Sequence, residues 1–388
     1  MDPVAGLLSG QGQELLGWLA SQEVTPDSAL RLASDLRGRY PADLISAALT
    51  QQSLRVAGRA KFSRADSMYF TRAGLEQASS ELTARHSAQR FAGRPLVADL
   101  CCGIGANTAA LASVAGHVLA VDTDLRTLLY ARHNTDSLAG PGKVTAVCAD
   151  ARELALARSR TGGVFIDPAR RSGDRRLRTG DSMPPLDWCL DLAGPVPAVC
   201  IKAAPGLPRG LVPADWELEF VATGRNLKEA LLWSPELATA ARRATLLPSG
   251  ETLTARPGPD VPVKAPGNYL LDPNPAVTRA GLVEDLARDL GAWKIDPMIA
   301  FLAADEPVVT PFARTLRVLE SMPWHERQAA RRLREMGIGA ADIRRRGLAG
   351  DVAQIHRRLG LRGEGSALIV LTRREGKPWG LICAPVPG

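Results

Sequence analysis

A chain of 388 residues with 45% hydrophobic and 23% charged side chains has the composition of a folded globular protein, long enough for two or three domains. No run approaches the roughly eighteen uninterrupted apolar residues of a membrane-spanning helix, and no basic-then-apolar leader opens the chain; the expectation is a cytoplasmic protein with no membrane partner. The net charge of +7 is unevenly placed, because Thr315–Gly388 carries 14 Lys or Arg against 7 Asp or Glu and residues 1–314 are balanced.

In chain order, residues 1–92 read as a helical region. Thr25 and Pro26 give an N-cap and a first-turn proline, followed by Leu30, Ala33 and Leu36 at helical spacing. Pro41 starts a second run through Leu44, Ile45, Ala48 and Leu49. Thr71 predicts a third helix carrying Leu75, Ala78 and Leu82. From 93 to 250 the pattern is strand–helix alternation, with apolar runs VADLCC, HVLAVDTD, KVTAVCAD, GGVFIDPAR and PAVCIKAAP. Such runs predict a parallel sheet covered on both faces, closed by an antiparallel pair at Trp216–Val221 and Glu229–Trp233. Residues 251–314 read as a proline- and glycine-rich linker with irregular strands, beginning near 245, and a helix through Val283, Leu286, Ala287 and Leu290. Residues 315–388 predict a basic β-α-β-α-β-β domain.

Chemistry gathers at the predicted strand ends. Asp99-Leu-Cys-Cys-Gly103-Ile-Gly105-Ala-Asn107-Thr108 closes one strand and opens a helix, and its glycines let the backbone approach a cofactor. The next strands end at Asp122, suited to two ribose hydroxyls, and at Asp150, suited to an adenine amino group. Asp99 would orient the loop or a cofactor amine. Capping of the following helix is the alternative for Asp122, Asp124 and Asp150. A dinucleotide-binding enzyme would want a small residue where Thr108 stands. Six cysteines without a Cys-x-x-Cys pair and five scattered histidines predict reduced thiols and no metal.

Asp99–Thr108, Val121-Asp122, Asp150 and Asp167-Pro168 together resemble the ordered motifs of class I S-adenosylmethionine (SAM)-dependent methyltransferases. Residues 69–135 are similar to trimethylguanosine synthase and its bacterial relatives. There the segment corresponding to Tyr69-Phe70-Thr71 through Glu76-Gln77 folds over the cofactor. More closely, the chain resembles a bacterial methyltransferase family with a C-terminal THUMP-like domain. Lys61-Phe62, Phe70–Gln77, Asp167-Pro168-Ala169-Arg170-Arg171 and Arg346-Gly347 carry that likeness. The resemblance implies a Rossmann-like, seven-stranded sheet with an N-terminal helical region and a small C-terminal α+β domain. It also implies SAM as cofactor, held by Phe70, Thr71, Asp99, Gly103, Gly105, Asn107, Asp122 and Asp150.

Asp167, at the end of the fourth strand, can accept a hydrogen bond from an acceptor amine or ring N–H, while Pro168 stiffens its turn. Arg170 can meet a phosphate or stack on a base, and Arg171, Arg175, Arg176 and Arg178 follow it. The guanine-N2 relatives carry a base-stacking aromatic where this chain has Ala169-Arg170, so cap-type hypermethylation is not carried over. Uridine-C5 enzymes need a cysteine where Ala203 stands; Cys200 lies inside the strand, and Lys202 has no assigned role. Arg327, Arg331 and Arg334 form one helical stripe opposite Ala329, Leu333 and Met336, and Arg344-Arg345-Arg346 adds charge. The expected partner is structured RNA, tRNA or rRNA, with nothing indicating DNA. The expected activity is methylation of a purine nitrogen by direct in-line transfer. A protein or small-molecule substrate, or a SAM-binding module without turnover, is the alternative.

Overall fold

The computed structural model describes residues 3–156, 160–169, 171–172, 175–176, 182–348 and 350–386. Two compact units divide them: Met1–Leu218 with Glu229–Thr239, and Glu219–Lys228 with Ala240–Gly388.

The first unit opens with helices α1 (Pro3–Leu8), α2 (Gly10–Ala20), α3 (Pro26–Leu36), α4 (Ala42–Gly58), α5 (Arg72–Gln77) and α6 (Glu81–Ala88). Thr25 caps α3 in a reciprocal capping box with Ser28, as its sequence predicts. Leu15, Leu16 and Leu19 pack against Leu44, Ile45, Ala48, Tyr69 and Tyr130. The helix expected through Leu82 is instead two. Ala78 turns extended and Ser80 caps α6. The Lys61 ammonium explains the break, since it takes the carbonyls of Leu75, Glu76 and Ala78 at 2.7, 3.0 and 2.9 Å. Those end-of-helix carbonyls would otherwise lack partners.

The sheet follows as β1 (Leu96–Leu100), β2 (His117–Asp122), β3 (Val144–Cys148) and β4 (Gly163–Ile166). Short β5 (Arg171–Ser172) and β6 (Arg175–Arg176) pair antiparallel with each other. Then come β7 (Val199–Ala203), β8 (Glu217–Thr223) and β9 (Asn226–Trp233). Strand β1 runs parallel to β2 and β4, β2 to β3, and β4 to β7, while β9 lies antiparallel to β7. The order β3-β2-β1-β4-β7-β9-β8 carries the seven strands expected, and the sheet continues past β8 to nine. Its central strands are buried on both faces, which is why they read as unbroken apolar runs. Helices α7 (Ala106–Val114), α8 (Leu125–Ala139) and α9 (Leu186–Asp191) are the crossovers. The division between the units falls inside the β8–β9 hairpin.

In the second unit β10 (Arg242–Leu247) lies beside β8 and pairs with β11 (Glu251–Thr254). The stretch read as a linker with irregular strands thus begins in regular sheet, and most of its prolines and glycines sit between β11 and β12 (Tyr269–Pro273). Helices α10 (Pro275–Ala280) and α11 (Val283–Leu290) lead to β13 (Trp293–Lys294) and β14 (Leu302–Ala304). Then β15 (Ala313–Pro323), α12 (Glu326–Glu335), β16 (Ile338–Arg345), α13 (Val352–Leu359), β17 (Gly365–Arg374) and β18 (Lys377–Pro385) follow the predicted alternation. The sheet order is β13-β14-β12-β15-β18-β17-β16. Ala329 and Leu333 of α12 pack on Ile343, Ile369, Leu371 and Ile382, with Met336 half-buried against them. Among the described residues no helix is long and apolar enough to cross a membrane.

Candidate active site

The turn after β1 determines where the site lies. Gly105 has φ 85°, and a Cβ there would come within 2.9 Å of the Ala131 carbonyl oxygen on α8, so neither conformation nor space admits a side chain. Gly103, at φ 54°, needs glycine for its conformation alone, because no atom lies within 4 Å of where its Cβ would be. Cys101 adopts φ 58° without being glycine, a strained position of the kind found at functional turns.

Acidic strand ends hold this turn. The Gly103 N–H donates to Asp122 Oδ2 at 2.9 Å, and the Asp124 N–H donates to Asp122 Oδ1 at 3.0 Å. Each oxygen of Asp122 retains capacity for another donor. Asp124 caps α8 through the Arg126 N–H. Asp99 is fully buried and accepts from the Thr108 hydroxyl at 2.5 Å, tying β1 to α7. Its other oxygen is buried without a partner. Burial pushes its pKa up to about 7.

A cavity of about 710 Å³ opens beside the turn, within the usual range for a small-molecule site. One wall is Thr71, Gly74, Glu76, Gln77 and Ala78, from α5 and its flanks; the other is Cys101, Gly103, Asn107, Asp122 and Asp124. Asp167, Pro168 and Ala169 line one part of it. Asn107 Oδ1 is buried without a hydrogen-bond partner. The lining holds four carboxylates, Glu76, Asp122, Asp124 and Asp167, and among the described residues no Lys or Arg. This donor set fits a compact cationic ligand bearing hydroxyls and an amine, as a sulfonium nucleoside is. Among the described residues no cluster of His, Cys, Asp or Glu is placed to hold a metal. All six cysteines are free; Cys148 is exposed and Cys101 half-buried.

Other predicted residues lie elsewhere. Phe70 does not line the cavity; its ring meets Phe62, with centroids 5.8 Å apart, in a buried cluster with Leu75 and Ile104. It backs the α5 wall that Thr71, the cap of α5, presents. Asp150 is outside the lining and is held by Arg152 at 2.6 Å, which keeps its carboxyl low, at about 2. Arg170 lies outside the described residues.

The C-terminal arginines divide. Arg327 and Arg334 are exposed, and Arg331, also exposed, lies 3.8 Å from Glu335. Arg345 turns back to the Gly350 carbonyl. Arg346 is turned inward: it pairs with Asp272 at 2.9 Å, donates to the Ala300 carbonyl at 2.9 Å and lies 4.8 Å from the Phe301 ring centroid. Its guanidinium is committed to holding β12 and β16 surroundings together, which corrects its placement among the RNA contacts.

Two residues given no role by their place in the sequence matter to the site. Asn134 of α8, buried, donates to the carbonyls of Tyr69 and Ile104, both at 2.9 Å, and accepts from the Tyr69 N–H at 2.7 Å. One amide thus fixes both walls of the cavity. Lys202, 6% exposed at the end of β7, donates to Asp167 Oδ2 at 2.6 Å. A polar residue on an apolar helix face was the one sequence signal for Asn134.

Comparison with known proteins agrees with this geometry. Residues 97–168 match the family described as methyltransferase domain, 313–385 that described as THUMP domain-like, and 1–58 a domain of unknown function. Over 310 residues the chain is 38% identical to uncharacterized S-adenosylmethionine-dependent methyltransferases of two Mycobacterium tuberculosis strains, CDC 1551 and H37Rv. The match spans 78% of this chain and 84% of theirs. A crystal structure described as that of a candidate methyltransferase from Porphyromonas gingivalis W83 shares the fold. It superposes with a TM-score of 0.77 at 23% identity, covering 96% of this chain and 98% of that one.

Proposed function

The chain belongs to the S-adenosylmethionine-dependent methyltransferases and ends in a THUMP-like domain, and from that premise we propose that it methylates a purine nitrogen of structured RNA, tRNA or rRNA. The observation that carries this reading is the Asp167 carboxylate. One oxygen is held by Lys202, and the other has no hydrogen-bond partner among the described residues, in the lining beside Pro168. A carboxylate so presented accepts an N–H of the acceptor and aims its nitrogen. When bound, SAM supplies a methyl group on a sulfonium, already activated for displacement. The protein's part is therefore chiefly to hold the acceptor close and collinear. Asp167, beside the acceptor, would also take the proton that the methylated nitrogen sheds.

Thr71, Gly103, Asn107 and Asp122 are the proposed cofactor-holding residues, with Asp122 taking the ribose hydroxyls, Gly105 letting the turn close against α8 and Asp99 acting through Thr108 on the loop. Asp150 would reach an adenine amine only by leaving Arg152. Covalent pyrimidine chemistry has no support, since Cys200 is wholly buried in β7 and Ala203 stands at its end. The exposed Arg327, Arg331 and Arg334 suit phosphates.

Single-turnover reaction of the purified protein with methyl-labelled SAM and undermodified tRNA and rRNA tests the reading. Label in one methylated purine is the expected result. Label confined to protein or small molecules overturns the RNA substrate, and SAM binding with no transfer to any fraction makes the chain a non-catalytic module.

A further inference from the structure

Beneath the Asp167 carboxylate lies a charged group that the methyl-transfer reading does not use. Lys202 leaves β7 as its last residue but one and is almost wholly buried, in a strand otherwise made of Val199, Cys200, Ile201 and Ala203. Its ammonium donates to Asp167 Oδ2 at 2.6 Å and stands 4.0 Å from Glu229 Oε2. Glu229, itself buried, sits on β9, the strand paired to β7 with Lys202 opposite Leu231. Three charges from three adjacent strands, β4, β7 and β9, therefore meet at the carboxyl end of the sheet.

Stability does not account for this arrangement. Taking an ammonium and a carboxylate out of water costs about what their attraction returns, and an apolar pair of similar size would serve as well or better. A buried ion pair does, however, fix direction. Lys202 has three donors, and Glu229 on one side and Asp167 on the other leave its ammonium little freedom to swing. Asp167 is the member that reaches solvent, 24% exposed, and it lines the cavity, which Lys202 and Glu229 do not. The interior thus holds one oxygen, Oδ2, of the carboxylate that lines the cavity.

We propose that Lys202, steadied by Glu229, is a positioning residue for methyl transfer that acts through Asp167, clamping one carboxylate oxygen so that the other is presented to the acceptor nitrogen. The inference rests on Asp167 being the group that meets the acceptor. A misplacement of about 1 Å in such a contact lowers turnover by around a hundredfold. The same clamp leaves the cofactor wall untouched, because Lys202 stands outside the lining that α5 and the glycine turn provide.

The test is a double-mutant cycle on the full chain, read by single-turnover transfer from methyl-labelled SAM to tRNA and rRNA of a strain lacking the gene. Calorimetry with SAM checks that each variant folds. Asp167→Asn should lower the transfer rate at least a hundredfold, and Lys202→Met ten- to a hundredfold, both with SAM affinity kept. The RNA concentration giving half-maximal rate should stay within twofold. Lys202→Arg, which keeps a cation, should recover much of the loss. In the Asp167→Asn background Lys202→Met should cost nothing further, because the residue it acts through is gone. If Lys202→Met does not fold, Lys202→Gln takes its place in the cycle. Wild-type transfer by the Lys202 variants while Asp167→Asn is inactive overturns the positioning role alone. So do losses that multiply in the double variant. Wild-type transfer by Asp167→Asn overturns instead the reading of Asp167, and this inference with it.

Discussion

Charge is handled in opposite ways around the cavity and in the C-terminal sheet. At the carboxyl edge of the parallel strands, short acidic side chains stay close to the strands that carry them and take donors from the adjoining turns, helix and strand. Asp122 accepts from Gly103 and Asp124, Asp99 from Thr108, and each position follows from the strand it ends. In the second unit the charges are long arginines, and their direction depends on whichever acceptor is within reach. Arg332 pairs with Glu320 at 2.5 Å and Glu335 at 3.1 Å, and Arg346 turns inward to Asp272, while Arg327 and Arg334 stay in solvent. An acid at a strand end can be located from spacing alone, whereas an arginine cluster counts charge without saying where it points.

The largest expected effect concerns the buried end of that comparison. Asp99 has its folded pKa raised to about 7 by burial, far above an unfolded aspartate at about 3.9. Its folded form therefore holds a proton more tightly than the unfolded chain does. That contribution to stability is fully present below about pH 4 and is lost as pH rises through about 7. Asp99→Asn removes this titration, so its stability relative to wild type should rise with pH by about 1.4 kcal/mol per unit across the window, in denaturant titrations. A difference that stays flat would mean the carboxyl is ionised throughout.

Next is Asp122→Ala, which takes away the acceptor of the Gly103 N–H and the proposed partner of the ribose hydroxyls. Calorimetry should show SAM affinity weakened by about 1–3 kcal/mol. Unchanged affinity would show the cofactor bound without that strand end. The smallest effect in free energy, though the sharpest in kind, separates the two classes of arginine. Neutralising Arg327, Arg331 and Arg334 together should flatten the log–log salt dependence of RNA binding by roughly 0.7–0.9 for each phosphate left unneutralised. Arg346→Gln should leave that slope alone and lower the melting temperature instead. A triple variant with wild-type slope would remove α12 from the RNA surface.

What the sequence disclosed follows the same division. The strand–helix alternation, and the gathering of Gly103, Asp122 and Asp167 along one sheet edge, were legible because a parallel sheet brings successive strand ends together. The tail alternation was legible because the apolar period changes cleanly between strand and helix. Long-range polar pairing was not. The break after α5 depends on Lys61 reaching carbonyls beyond the next turn, and both cavity walls depend on one amide, Asn134. The sequence did not separate Phe70, whose ring packs inward, from its neighbour Thr71, which lines the cavity. The strands at 242–254 were legible only as irregular ones, because their turn and the stretch after them are rich in glycine and proline.

The claim that this methyltransferase acts on a purine nitrogen of structured RNA meets its most direct test in the nucleosides of total tRNA and rRNA. Mass spectrometry would compare a strain lacking the gene with the same strain carrying the wild-type chain or Asp167→Asn. The account predicts that one N-methylated purine disappears in the deletion, returns with the wild-type chain and does not return with Asp167→Asn. An unchanged set of methylated purines across all three strains would contradict it.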